Sequence, residues 1–129
     1  MTVPHPPLSK PLKGMKILVV EDDPLVRIVA VEALLDAGFE VVEAENGPDA
    51  LKHCKDPPDV LFTDIRLPGS ITGWDIAERF RERNPAMPVV YATGYSQIEP
   101  RPVSGVWFQK PYSPRQLVSV IRELTGQAI

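Results

Sequence analysis

The sequence predicts an α/β fold, a doubly wound, five-stranded parallel sheet with helices on both faces. Three observations predict it. Short apolar runs such as Ile17-Leu18-Val19-Val20 and Val60-Leu61-Phe62 show no polar alternation, the mark of strands buried on both faces. Between them lie stretches with apolar residues at helical spacing. Proline and glycine punctuate the joins at positions that start and stop helices. With 129 residues there is room for one domain, and no internal repeat divides it.

The elements follow in order. Lys16–Val20 is a strand, and Asp23-Pro24 then supplies an N-cap and a proline at the first helical position. Leu25, Ile28, Val29, Glu32 and Leu35 recur at helical spacing until Gly38 closes the helix. Glu40–Glu43 is a second strand, and Asn46-Gly47 leads into a short helix over Pro48–Cys54. Pro57-Pro58 cannot continue that helix, so Asp59–Thr63 is the third strand. Gly73–Arg83 is a helix with Trp74, Ile76, Ala77 and Phe80 facing inward. Pro88–Ala92 and Gly105–Phe108 are the last two strands. Ser113-Pro114 opens a final helix whose inner residues are Leu117, Val118, Val120, Ile121 and Leu124, and Gly126 ends it. Alternation of strand and helix gives right-handed crossovers.

Bulk properties exclude several classes. A net charge of −3 argues against a direct nucleic-acid or membrane-surface binder, and Arg79, Arg81 and Arg83 are expected on a solvated helix face. Cys54 is alone, which rules out an internal disulfide or thiolate cage and fits a reducing, cytoplasmic setting. No apolar stretch approaches the ~20 residues of a membrane span. Residues 1–14, with Pro4, Pro6, Pro7 and Pro11 and no secretory apolar core, are expected to be a flexible arm before a domain over 15–127. His5 and His53 lack ligand-like spacing.

Charged residues stand at the ends of the strands. Glu21-Asp22 follows the first, Asp64 the third and Lys110 the fifth. Open α/β sheets bind ligands at that carboxyl edge. Three carboxylates and an ammonium there suit a divalent cation together with an anion such as phosphate. Asp64 can act as a nucleophile forming an aspartyl-phosphate. Lys110 can pair with it and then hold a phosphoryl oxygen. Thr93, before Gly94, can donate to another oxygen. Each has a plainer reading: Glu21-Asp22-Asp23 as helix caps, Asp64 and Thr93 as turn residues, Lys110 as a solvated lysine. Trp107 and Phe108 point to opposite faces, and core packing is the default for both.

Taken together, Ile17–Pro24, Thr63–Gly69 with Gly73-Trp74, Ala92-Thr93-Gly94 and Gln109-Lys110-Pro111-Tyr112 resemble the receiver domain of two-component response regulators, over about Lys16 to Gln127. The resemblance implies a flavodoxin-like strand order 2-1-3-4-5 and a signalling module rather than a turnover enzyme. It implies Asp64 as phospho-acceptor and Mg²⁺, or Mn²⁺, held by Glu21, Asp22, Asp64 and the backbone carbonyl of Arg66. Thr93 and Lys110 would read the phosphoryl group, and Trp107 would occupy the aromatic switch position. The donor would be a phosphohistidine on a histidine kinase or phosphotransfer protein, and the output an unidentified downstream protein.

Two departures from the family pattern carry expectations. The loop Pro68–Gly73 is one residue longer than the commonest form, a variant associated with hybrid-kinase receivers. Only 13 residues separate Thr93 from Trp107, Pro100 and Pro102 among them, so the helix before the fifth strand is expected to be short or irregular and Gln97–Val103 mobile. Tyr91–Tyr95 is similar to receivers whose fourth strand ends Phe-Ala-Thr-Gly. The usual output face, built on that helix, the fifth strand and the last helix, would be altered, and recognition would shift toward the first helix or the last strand and helix. Water reaching Asp64 must pass Arg66 and Tyr95, and neither suits orienting it, so the phosphoryl group is expected to be long-lived. Two other classes compete. An aspartyl-phosphate phosphatase would need an acid where Arg66 stands, and a phosphorylation-independent binding module would not need the five site side chains.

Overall fold

A computed structural model describes residues 14–94 and 105–126. The apolar runs form β1 (Lys16–Val20), β2 (Glu40–Ala44), β3 (Val60–Asp64), β4 (Val89–Thr93) and β5 (Val106–Gln109). Between them lie α1 (Pro24–Asp36), α2 (Gly47–Leu51), continued by a 3-10 turn over Lys52–Lys55, and α3 (Gly73–Arg83). The last helix, α4 (Pro114–Leu124), follows β5. All four strand pairs are parallel, and the order is β2-β1-β3-β4-β5. This is the expected flavodoxin-like arrangement. The arm before Gly14, and the short or irregular helix expected between β4 and β5, lie outside the described residues.

Side-chain caps start the helices, at Asp23 and Ser113 where the sequence places them. Asp23 accepts from the N–H groups of Leu25 and Val26, and Ser113 from that of Gln116. Thr72 and Asp75 form a reciprocal capping box at the start of α3. Gly38, at φ 99°, takes the left-handed conformation that ends α1.

Two buried clusters sandwich the sheet. On one face Leu18, Val20, Leu61 and Tyr91 pack against Trp74, Ala77 and Phe80 of α3. On the other, Ile17, Val19, Phe62, Val90 and Ala92 pack against Ala30, Val31 and Leu34 of α1 and Leu117 and Ile121 of α4. Trp107 joins the first cluster and Phe108 the second, as strand alternation requires.

Several details differ from the sequence reading. The strands β2 to β5 end one residue later than expected, because the ladder holds Ala44, Asp64, Thr93 and Gln109 in register with their neighbours. The regular part of the second helix stops at Leu51. Leu25, Ile28, Val29 and Leu35 mark α1 as a helix but not its buried side: they are 76%, 50%, 50% and 51% exposed. The helix is apolar nearly all round, so spacing cannot select the face, and the small Ala30 lets Val31 and Leu34 approach the sheet. Leu124, the last residue of α4, is exposed as well.

Candidate functional site

The parallel register gathers the strand-end residues. Glu21 prolongs β1 by one bond, its N–H donating to Ala44 O at 3.0 Å. Asp64, the last residue of β3, faces Ala92 across the ladder, and the Ile65 N–H donates to Ala92 O at 3.0 Å. The Lys110 N–H donates to Thr93 O at 2.8 Å, which seats the lysine beside the end of β4. Its ammonium then lies 2.6 Å from Glu21 Oε1 and 2.8 Å from Asp64 Oδ1. Glu21, Asp64 and Thr93 are buried, whereas Asp22 is exposed.

Carboxylate oxygens of Glu21, Asp22 and Asp64 all lie within 4.8 Å of one another. Burial pushes the Asp64 carboxyl up, and the adjoining Glu21 adds to it, so that it reaches about 8 despite Lys110. Burial also disfavours charge on Glu21. There the hydrogen bonds from Asp64, Lys110 and the Asp23 N–H outweigh it and hold Glu21 below the ordinary glutamate value. The Asp64 carboxyl therefore holds its proton more tightly than Glu21 does. Burial opposes the charge of Lys110, but its bonds to Asp64 and Glu21 prevail and raise its pKa. Three close oxygen donors of this kind suit a small hard cation, which would displace that proton.

A cleft of about 240 Å³ opens over the cluster, lined by Asp22, Asp64, Arg66, Ala92, Thr93, Gly94 and Lys110. Asp22, Asp64, Arg66, Thr93 and Lys110 are thus brought together as the sequence expects. Trp107 is not at this cleft. It packs on Trp74 at 5.2 Å and Tyr91 at 5.9 Å between ring centroids, on the α3 side of the sheet. Tyr95 lies outside the described residues.

Gly73 is a site residue that the motifs alone do not explain. Its N–H donates to Ile65 O at 2.8 Å, and a Cβ on it would fall on the Asp64 carbonyl oxygen. Only glycine lets α3 start this close to the acceptor's backbone. Its signals in the sequence are its place in the Gly73-Trp74 pair and its position directly after Thr72.

Comparison with known proteins shows the family and the fold. The profile of the response regulator receiver domain family matches residues 17–122. A response regulator receiver protein of Anaeromyxobacter sp. (strain Fw109-5) is 34% identical over 105 residues, 81% of this chain and 43% of that protein. The chain thus spans less than half the length of that relative. The response regulator receiver protein CpdR of Brucella abortus (strain 2308) is 31% identical over 115 residues, 84% of this chain and 95% of the relative. The crystal structure of a response regulator receiver protein from Sinorhizobium medicae WSM419 superposes with a TM-score of 0.81. It is 30% identical, with 90% of this chain and 98% of that one covered. Among the described residues, no helix is long and apolar enough to cross a membrane.

Proposed function

This chain belongs to the response regulator receiver domain family, and from that premise we propose that it takes a phosphoryl group from a phosphohistidine onto Asp64. Signalling in two-component systems follows from membership; acceptor, cation and donor are our reading, as is a cytoplasmic site of action. The observation that carries it is the placement of buried Asp64 between Lys110 Nζ at 2.8 Å and the carboxylates of Glu21 and Asp22, at the carboxyl ends of parallel strands.

An Asp64 oxygen attacks phosphorus in line, the P–N bond to the donor imidazole breaks, and its electron pair returns to that nitrogen. Glu21, Asp22, Asp64 and the Arg66 carbonyl would hold Mg²⁺ or Mn²⁺, which would supply positive charge against the transferring oxygens. Lys110 turns from the carboxylates to a phosphoryl oxygen, and the Thr93 hydroxyl donates to another. Thr93 is two residues after Tyr91, which faces Trp107 in the β4–β5 register. A movement of Thr93 is carried along that strand to Trp107, the switch aromatic. Arg66 shields the phosphoryl group and pairs with its oxygens, which lengthens its life.

The donor is a histidine kinase or a histidine phosphotransfer protein, and the output is a protein rather than a nucleic acid or a membrane. Beside the cleft an apolar groove of about 510 Å³ runs between α1 and the turn after β5, lined by Leu25, Val26, Val29, Lys110, Pro111 and Tyr112. Groove and cleft share Lys110, so a donor helix seated there brings its imidazole to Asp64. The test is intact mass after acetyl phosphate and Mg²⁺. Wild type should gain one phosphate and Asp64→Asn none; an unlabelled wild type, or an equally labelled variant, refutes the proposal.

A further inference from the structure

We propose that Arg27 is a positioning residue for the cation-binding turn, acting on the peptide that joins Glu21 to Asp22. The inference rests on the reading of Glu21, Asp22 and Asp64 as cation ligands. Arg27 lies early in α1, where its own N–H donates to Asp23 O at 2.9 Å. Its side chain turns back toward the strand ends. Nη1 donates to the Glu21 backbone oxygen at 2.7 Å, and Nε to Glu43 Oε1 at 3.0 Å. One planar guanidinium therefore ties the turn after β1 to the end of β2.

The carbonyl it grips belongs to the peptide between the two acidic residues. The plane of that peptide sets the direction in which the chain leaves Glu21, and with it the position of Asp22. Glu21 is already fixed elsewhere: its N–H by Ala44 O, Oε1 by Lys110 and Oε2 by the Asp23 N–H at 3.0 Å. Asp22 is exposed, so the peptide plane is the lever that aims it. The bond to the carbonyl is short and charge-assisted, on a side chain only 20% exposed. A lysine carries the charge but lacks the rigid fork that spans two acceptors.

The sign of the effect separates this role from simple electrostatics. A guanidinium near a divalent cation repels it, so charge alone predicts tighter Mg²⁺ binding once Arg27 is removed. Positioning predicts the opposite, as groups that orient metal ligands are worth about 10- to 100-fold in affinity. A merely structural role would lower stability and leave the affinity of the folded protein unchanged.

The experiment is calorimetric Mg²⁺ titration of wild type, Arg27→Gln and Arg27→Lys, with melting of each in metal-free buffer. Arg27→Gln should raise Kd about tenfold and Arg27→Lys about threefold. An unchanged or lower Kd in folded Arg27→Gln overturns the inference. Where Arg27→Gln does not fold, Arg27→Lys decides by the same criterion. Wild type that binds no Mg²⁺ sinks the cation reading and this inference together, whereas normal wild-type binding with an indifferent variant sinks only the role of Arg27.

Discussion

Lys110 Nζ donates to Glu21 Oε1 at 2.6 Å across 89 residues of sequence, and the same ammonium reaches Asp64. It offsets a repulsion between two buried acids that burial itself sharpens. Lys110→Met leaves those acids facing each other. The metal-free protein should lose about 1–3 kcal/mol at pH 8, read as a denaturant midpoint. Labelling by acetyl phosphate should slow at least ~100-fold, since a preorganised charge facing the phosphoryl oxygens is gone.

The raised pKa of Asp64 makes stability depend on pH in a defined sense. The folded protein holds this proton more tightly than the unfolded chain does. The contribution is therefore fully present below about pH 4 and is lost as pH rises through about 8. Asp64→Asn has no proton to lose. Between about pH 5 and 9 the metal-free wild type should lose at least about 1.4 kcal/mol more than the variant, the worth of one pKa unit. Parallel melting curves across that range would contradict the raised pKa of Asp64.

Gly73→Ala should cost about 2–4 kcal/mol, because its Cβ meets the Asp64 carbonyl and lies 3.0 Å from Ile65 Cα. Relief by displacement of α3 shifts the acceptor, so labelling should slow as well. Gly94→Ala is the control. No described residue lies within 4 Å of a Cβ there, and its stability should stay within about 0.5 kcal/mol of wild type.

Leu25 and Val29 are 76% and 50% exposed on the groove beside the cleft. Leu25→Glu and Val29→Glu should leave melting and acetyl phosphate labelling near wild type. Transfer from a phosphohistidine protein should fall about tenfold or more, the loss of one interface anchor. Equal loss with both donors would assign the effect to the site rather than to docking.

Arg66 is exposed and lines the cleft. Arg66→Asn replaces a bulky cation with an amide that can orient water, and should shorten the life of the phosphorylated protein several-fold. Radiolabel decay after removal of the donor measures it. Unchanged or slower decay refutes the shielding role.

The order of strands and helices was legible in the sequence, as were the caps at Asp23 and Ser113 and, to within one residue, the strand ends. These depend on local rules: buried runs of Val, Ile and Leu, proline at the first helical position, glycine after the last. Asp64, Thr93 and Lys110 could be picked out because strand ends in a parallel sheet share one edge. The buried side of α1 was not legible, since Leu25, Ile28, Val29, Ala30, Val31 and Leu34 are all apolar and only contact with the sheet chooses among them.

By itself, then, the sequence determined a doubly wound sheet with a set of acids and a lysine at its carboxyl edge. Tertiary structure decided how tightly Asp64 holds its proton, because its pKa depends on its depth and on the oxygen of Glu21 beside it. It also decided that Trp107 packs on Trp74, that Gly73 lies against the Asp64 carbonyl and that Arg27 grips the Glu21 peptide. Each of these is a contact of a few ångströms set by how the packed elements meet, and no local pattern carries it.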